Sequence, residues 1–173
     1  AVVGDVDGDE ISDYLVGAYD HRWNNNEHQG RAFVYSGKRG NLLFAIDNPA
    51  PQREAAFGCA VAAGGDINQD GVPDLLIGAF GQNGGGQAFV FSGADKQLLL
   101  TLQAPKSQLG GGFGWSVASL GDLTDDGIPE LIVGAFAQDG DGRAFVFNGQ
   151  NGALLYTLEA PAQHGGSAFG WSV

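Results

Sequence analysis

FGWSVASLGDLTDDGIPELIVGAFAQDGDGRAFVFNGQNGALLYTLEAP, residues 113–161, decides the fold, because the chain repeats its plan on either side. Phe-Gly recurs at Phe57-Gly58, Phe113-Gly114 and Phe169-Gly170, at intervals of 56 and 56. Gly-Asp opens an acidic loop at Gly4-Asp5, Gly65-Asp66 and Gly121-Asp122, spaced 61 and 56. Gly-Ala follows at Gly17-Ala18, Gly78-Ala79 and Gly134-Ala135, then Ala-Phe-Val-aromatic runs beginning at Ala32, Ala88 and Ala144. Self-similarity at a fixed period marks a repeat architecture, in which each unit buries its apolar faces against its neighbours. The five extra residues of the first interval fall between Ala18 and Ala32, in YDHRWNNNEHQG (19–30).

Within 113–161 the sequence predicts four strands: A over 113–121, B over 130–136, C over 143–149 and D over 153–160. Strands B to D are rich in Val, Ile, Leu and aromatics and are separated by Gly, Asn and Asp. Leu75-Leu76-Ile77 and Leu131-Ile132-Val133 are apolar triplets without alternation, which predicts burial on both sheet faces. Thirty Gly in 173 residues are too many for a helical protein and lack the period of collagen. The expectation is an all-β chain of β-propeller blades, each a four-stranded antiparallel sheet, with a solenoid of stacked sheets as the competing architecture. The expected boundaries are 1–56 for blade 1 with strand A truncated, 57–112 for blade 2, 113–168 for blade 3, and 169–173 for the start of strand A of a further blade. If Val173 were followed by Ala1, SV-AVVGD would match SVASLGD (116–122) in register. The three repeats are therefore expected to be part of a larger propeller, continued head to tail by more sequence or by another copy.

Between strands A and B one nine-residue pattern occurs three times: DVDGDEISD (5–13), DINQDGVPD (66–74) and DLTDDGIPE (122–130). Oxygen-bearing side chains stand at positions 1, 3, 5 and 9. They are Asp5, Asp7, Asp9 and Asp13; Asp66, Asn68, Asp70 and Asp74; and Asp122, Thr124, Asp126 and Glu130. A tight loop turns positions 1, 3 and 5 to one side, position 7 offers a backbone carbonyl, and position 9 closes the shell with a carboxylate. Six or seven hard oxygens suit Ca²⁺, whereas Mg²⁺ holds a stricter octahedron and more water. The absence of His and Cys from the pattern argues against zinc and copper. Ten of the 15 Asp lie in these 27 residues. Carboxylates a few Å apart repel by about 4 kcal/mol per pair at an effective dielectric near 20, so gathering them calls for a cation. Up to three Ca²⁺ are expected, one per A–B loop, with the third loop weakest. The first is handicapped by Glu10 at position 6, where the others have Gly71 and Gly127. No EF-hand is present, since that loop needs 12 residues, a terminal Glu and flanking helices.

Phe-Gly, an Asp-rich loop opened by Gly-Asp, then Gly-Ala: this order resembles the FG-GAP repeat of integrin α-subunit propellers, which bacterial extracellular proteins also carry. The resemblance covers the whole chain. It implies a propeller with structural Ca²⁺ in the A–B loops on the lower face, the backbone carbonyls of Ile11, Val72 and Ile128 joining the ligands named above. Where the family signature continues Gly-Ala with Pro, this chain has Tyr19, Phe80 and Phe136. Propellers of this family usually have seven blades. They tend to bind partners on the upper face, formed by the B–C and D–A loops.

The net charge of −12 argues against nucleic acid and anionic membranes as partners, and no apolar run approaches a membrane span. Extracellular calcium fills weak sites that cytosolic calcium does not, so an extracellular, cell-surface or periplasmic location is expected. The expected function is a calcium-stabilised binding, adhesion or assembly module without catalysis. The alternatives are a propeller module of a secreted hydrolase or lyase, or a structural subunit of a surface filament or layer. A protein or glycan partner is expected at the upper loops, through Trp23 in the insertion or, less directly, through Arg53 and Glu54. Cys59, which takes the slot of Trp115 and Trp171, reads as a buried inert thiol, and the two Trp as core. His21, His28 and His164 have no phased Ser or Cys partner, and Asp139 and Asp141 read as a solvated turn.

Overall fold

In the computed structural model, which describes residues 1–22, 28–106, 108–161 and 166–173, each repeat is one four-stranded antiparallel meander. The first comprises β1 (Val2–Gly4), β2 (Asp13–Ala18), β3 (Arg31–Tyr35) and β4 (Leu42–Asp47). The second comprises β5 (Phe57–Gly65), β6 (Asp74–Ala79), β7 (Gln87–Phe91) and β8 (Leu98–Leu102). The third comprises β9 (Phe113–Ser119), β10 (Leu131–Ala135), β11 (Arg143–Phe147) and β12 (Leu154–Leu158). All four strands of the third repeat lie inside their expected bounds, and the all-β, blade-like fold expected from the sequence is the fold observed. The register follows the repeat, with Gly17 opposite Ala32, Gly78 opposite Ala88 and Gly134 opposite Ala144.

The sheets stack face to face, which explains the unalternating triplets. In β6, Leu75 and Ile77 join Leu15, Val34, Phe57 and Phe89 in a core shared with the first blade. Leu76, one residue out of phase, joins Val90, Phe113, Leu131, Val133 and Phe147 in a core shared with the third. The terminal sheets have one such face each. Tyr14 and Val16 of β2 are each 47% exposed while Leu15 between them is fully buried. Ile132, expected inside, is only half-buried on the outward face of β10.

Phe-Gly and Gly-Ala recur in phase because they meet across each blade junction. Phe57 packs on Phe89 and Phe91 of its own blade, with ring centroids 5.8 and 6.0 Å apart, and Phe113 repeats this with Phe145 and Phe147 at 5.6 and 5.9 Å. The Gly that follows runs its backbone against the Gly of Gly-Ala in the preceding blade. A Cβ on Gly17 would lie 1.9 Å from the Gly58 carbonyl oxygen, and one on Gly78 2.0 Å from that of Gly114. Residues 169–173 begin the same contact: Phe169 N–H donates to Asp141 O at 2.8 Å, and Gly170 O accepts from Ser116 Oγ at 2.8 Å.

An aromatic row links the second blade, the third blade and residues 169–173. Trp115 lies 5.0 Å from Phe80, 4.8 Å from Phe136 and 4.7 Å from Trp171. Trp115 is half-buried, but Trp171, expected in the core, is 53% exposed. Cys59 faces Tyr19, Phe80 and Trp115 in a small recess, its Sγ donating to Gly114 O at 3.2 Å. Burial pushes its thiol up to about 11, which keeps it protonated and unreactive at neutral pH.

Side-chain ties among strand C, strand D and the B–C loop change from repeat to repeat. Arg31 pairs with Asp47 at 2.8 Å in the first blade. At the equivalent positions of the second, Gln87 bonds to Asn83 and Gln103. In the third, Arg143 holds Asp139 at 3.1 Å and Glu159 at 3.3 Å, which gives Asp139 a structural partner. The junction geometry makes a firm prediction. Gly78→Ala drives a methyl into the Gly114 carbonyl and lowers unfolding free energy by about 3 kcal/mol or more in urea denaturation, whereas an ordinary surface substitution changes it by about 0.5 kcal/mol or less.

Candidate metal centre

Each A–B loop is organised by its first acidic residue. Asp5 Oδ1 accepts from the N–H groups of Gly8 (2.7 Å) and Asp9 (3.0 Å), and Oδ2 from Glu10 (2.7 Å). Asp122 repeats this with Asp125, Asp126 and Gly127. Asp66 does so with Asp70 and Gly71. These bonds, led by Glu10 for Asp5 and by Gly127 for Asp122, favour the ionised form and hold both carboxyls below the usual range. Position 5 then caps position 7: Asp9, Asp70 and Asp126 accept from Ile11, Val72 and Ile128 N–H at 3.0, 2.8 and 2.9 Å. Ile11 is exposed, Val72 half-buried and Ile128 buried.

Position 9 does more than its spacing indicates. Asp13 and Asp74 are fully buried at the start of strand B. Asp13 accepts from Val6 N–H at 2.8 Å and from Gly37 N–H at 2.9 Å, and Asp74 from Ile67 (2.7 Å) and Gly93 (3.1 Å). One carboxylate thus ties the acidic loop to the C–D turn. Glu130, also fully buried, is longer: it accepts from Leu123 N–H and receives Asn148 Nδ2 at 3.4 Å in place of a turn amide. Asn148 also donates to Asp126 Oδ2 at 3.2 Å, a contact no motif in the sequence announces.

The carboxylates converge in two loops. Ligand oxygens of Asp5, Asp7 and Asp13 lie within 4.8 Å of one another, as do those of Asp122, Asp126 and Glu130. Thr124 Oγ1 donates to Glu130 Oε1 at 3.1 Å beside the latter group. Asp9 stands outside the first group, its Oδ2 buried without a hydrogen bond and Lys38 Nζ 3.8 Å away. In the second loop Asn68 Nδ2 donates to Asp70 Oδ2 at 2.8 Å, and among the described residues Asp66, Asp70 and Asp74 do not form such a group. Position 6 has positive φ throughout: 69° at Glu10, 87° at Gly71 and 82° at Gly127.

Of the upper-face residues singled out in the sequence, Trp23 and His164 lie outside the described residues. His28 Nδ1 bonds Asp20 in a close pair, and His21 sits edge-on to Phe33 at 5.7 Å. Arg53 lies 3.5 Å from Glu54.

Stacked four-stranded meanders joined at Phe-Gly, each with an acidic loop between its first two strands, define the class: blades of an integrin α-like β-propeller. The chain belongs to the FG-GAP-like repeat family, which it matches over residues 5–77 and 66–133. It is 34% identical over 149 residues to integrin alpha-IIb of Mus musculus, covering 78% of this chain and 14% of that protein. It is 30% identical over 139 residues to integrin alpha-11 of Homo sapiens, covering 76% and 12%. With integrin alpha-8 of Mus musculus the identity is 31% over 163 residues, covering 84% and 15%. The match thus spans less than a sixth of the length of these relatives.

Two predictions follow from the loops. Glu10→Gly relieves a left-handed backbone and raises the stability of the metal-free protein by about 1 kcal/mol in chemical denaturation. Asp74, pushed up to about 6 chiefly by burial, is protonated in the metal-free fold at pH values where the unfolded chain, with its ordinary 3.8, is ionised. Its contribution is therefore unfavourable above pH 6 and is relieved as pH falls from 6 to 4. A carboxyl NMR titration of the metal-free protein is expected to show its midpoint near 6, and saturating Ca²⁺ to move that midpoint down.

Proposed function

We propose that this chain is a calcium-stabilised segment of an extracellular β-propeller, acting as a binding, adhesion or assembly module without catalysis. The observation that carries the cation reading is the first loop. The carboxylates of Asp5, Asp7 and Asp13 converge without a nitrogen or sulfur donor among them, and Asp9, outside that group, keeps a buried Oδ2 that no hydrogen bond satisfies. Asp5, Asp7, Asp9 and Asp13 would hold the ion there with the Ile11 carbonyl. Asp122, Thr124, Asp126 and Glu130 would hold it in the third loop with that of Ile128, and Asp66, Asn68, Asp70 and Asp74 in the second with that of Val72. Against the expectation that the third loop is weakest, the second fills last in this reading, because its acids do not converge and the Asn68 amide must release Asp70. The ion supplies charge neutralisation, and the residues themselves fix the loop to the sheet.

Likeness to integrin α subunits supports the adhesion reading and a place outside the cell, where calcium is high enough to fill modest sites. The partner is a protein or glycan approaching the B–C and D–A loops, and further blades or another copy continue the stack beside the third sheet, where Tyr156 and Leu158 are exposed. No helix of the described residues is long and apolar enough to cross a membrane. Calcium at 100 times its dissociation constant adds about 2.7 kcal/mol per filled site. A chelator is accordingly expected to lower the melting temperature and excess Ca²⁺ to restore it; a melt indifferent to both overturns the cation reading.

A further inference from the structure

On the upper face, a cleft of about 750 Å³ opens between the first and second blades, lined in part by Tyr19, Asp20, His28, Arg53, Glu54 and Phe80. The repeat supplies its own control. Shifted by the repeat interval, the gap between the second and third blades has Gly81, Gly84, Leu109 and Gly110 where this one has Asp20, His28, Arg53 and Glu54. There the Leu109 side chain leans over Gly84, so close that a Cβ on that glycine would meet its Cδ2 at 2.6 Å. The second gap has an exposed leucine and bare glycines at these positions, whereas among the described residues the first is lined with polar groups.

Those polar groups are held at a conformational cost. His28 has φ 57° and Glu54 φ 60°, both in the left-handed region. Their counterparts in the other two repeats are glycines with the same sign of φ: Gly84 and Gly140 for His28, Gly110 and Gly166 for Glu54. The backbone template of this fold thus calls for glycine at both positions, and only this cleft carries functional side chains there. Strain of about 1 kcal/mol or more at each is tolerated here, as it is in turns such as that of Lys96, but only in this cleft does it set polar side chains at the two positions where both other repeats have glycine.

The chemistry of the lining identifies the ligand. Asp20 bonds His28, whose other ring nitrogen lies 3.4 Å from Arg22, and Glu54 lies beside Arg53, so two carboxylates face two guanidiniums and the cleft offers an ion little net field. It offers instead planar groups that both donate and accept, beside Tyr19, which is 57% exposed, and the half-buried ring of Phe80. Gln52 fixes the floor, its Nε2 donating to Gly81 O at 3.0 Å. An aromatic wall next to charge-balanced carboxylate, imidazole and guanidinium groups fits a ring with an apolar C–H face and a rim of hydroxyls. We propose that this inter-blade cleft binds an uncharged saccharide, the ring resting on Tyr19 and Phe80 and its hydroxyls bonding to Asp20, His28, Glu54 and Arg53.

This rests on the reading of the upper face as the binding face, and its test is separate from the chelator melt. The whole chain in Ca²⁺ is applied to an array of neutral oligosaccharides ending in glucose, galactose, mannose or N-acetylglucosamine, with sialylated glycans, sulfated glycans and peptides as comparison probes. A neutral glycan is expected to be retained in preference to all three. Tyr19→Ala and Glu54→Gly are each expected to weaken that affinity by roughly tenfold or more. Glu54→Gly restores the residue of the other repeats, so its melting temperature is expected to stay level or rise. Preference for charged glycans or peptides, no retention of neutral glycans, or a smaller loss in either variant overturns the proposal while leaving the calcium reading intact.

Discussion

The fold depends on a main-chain contact. At each junction the glycine of Phe-Gly lies against the glycine of Gly-Ala in the preceding blade, closer than any side chain permits. That approach seats Phe57 and Phe113 in the cores between blades and fixes the distance at which neighbouring strands B stack. Everything of functional interest hangs from this spacing. The acidic loops leave one end of strand B and the upper-face loops leave the other, so their positions are set by the sheet and not by their own stability.

In the A–B loops the same carboxylates both build the structure and concentrate charge. Asp5 and Asp122 organise their turns through backbone amides, and Asp13 and Asp74 pin the loops to the C–D turns. These bonds satisfy part of each carboxylate but remove none of its charge. What is left over is uneven. The first loop retains an unbonded Asp9 oxygen. In the second the amide of Asn68 occupies Asp70. In the third Asn148 and Thr124 hydrogen-bond the acidic group. Three loops written in one pattern therefore have three different electrostatic starting points.

The architecture was legible because its signals are local and periodic. Phe-Gly, Gly-Ala and the apolar triplets located the strands to within a residue or two, and the acidic spacing located the loops. Side-chain direction was not legible. Nothing in DINQDGVPD shows that Asn68 turns its amide onto Asp70, or that both oxygens of Asp74 are taken by amides from separate segments. The exposure of Trp171 and Ile132 was also missed, since a repeat pattern describes an interior blade and these residues face outward from the last sheet. The inter-blade cleft depends on which residues replace glycine at matched φ, which only the backbone angles reveal.

The ties among strand C, strand D and the B–C loop bear on how such a chain diverges. Arg31 with Asp47, Gln87 with its two amide partners and Arg143 between two acids are three different sets at one site. No member of one set serves in another: an arginine placed at Gln87 would meet two amides and no acid. Drift by single substitutions is therefore resisted within a blade, while duplication or exchange of a whole blade brings a matched set with it.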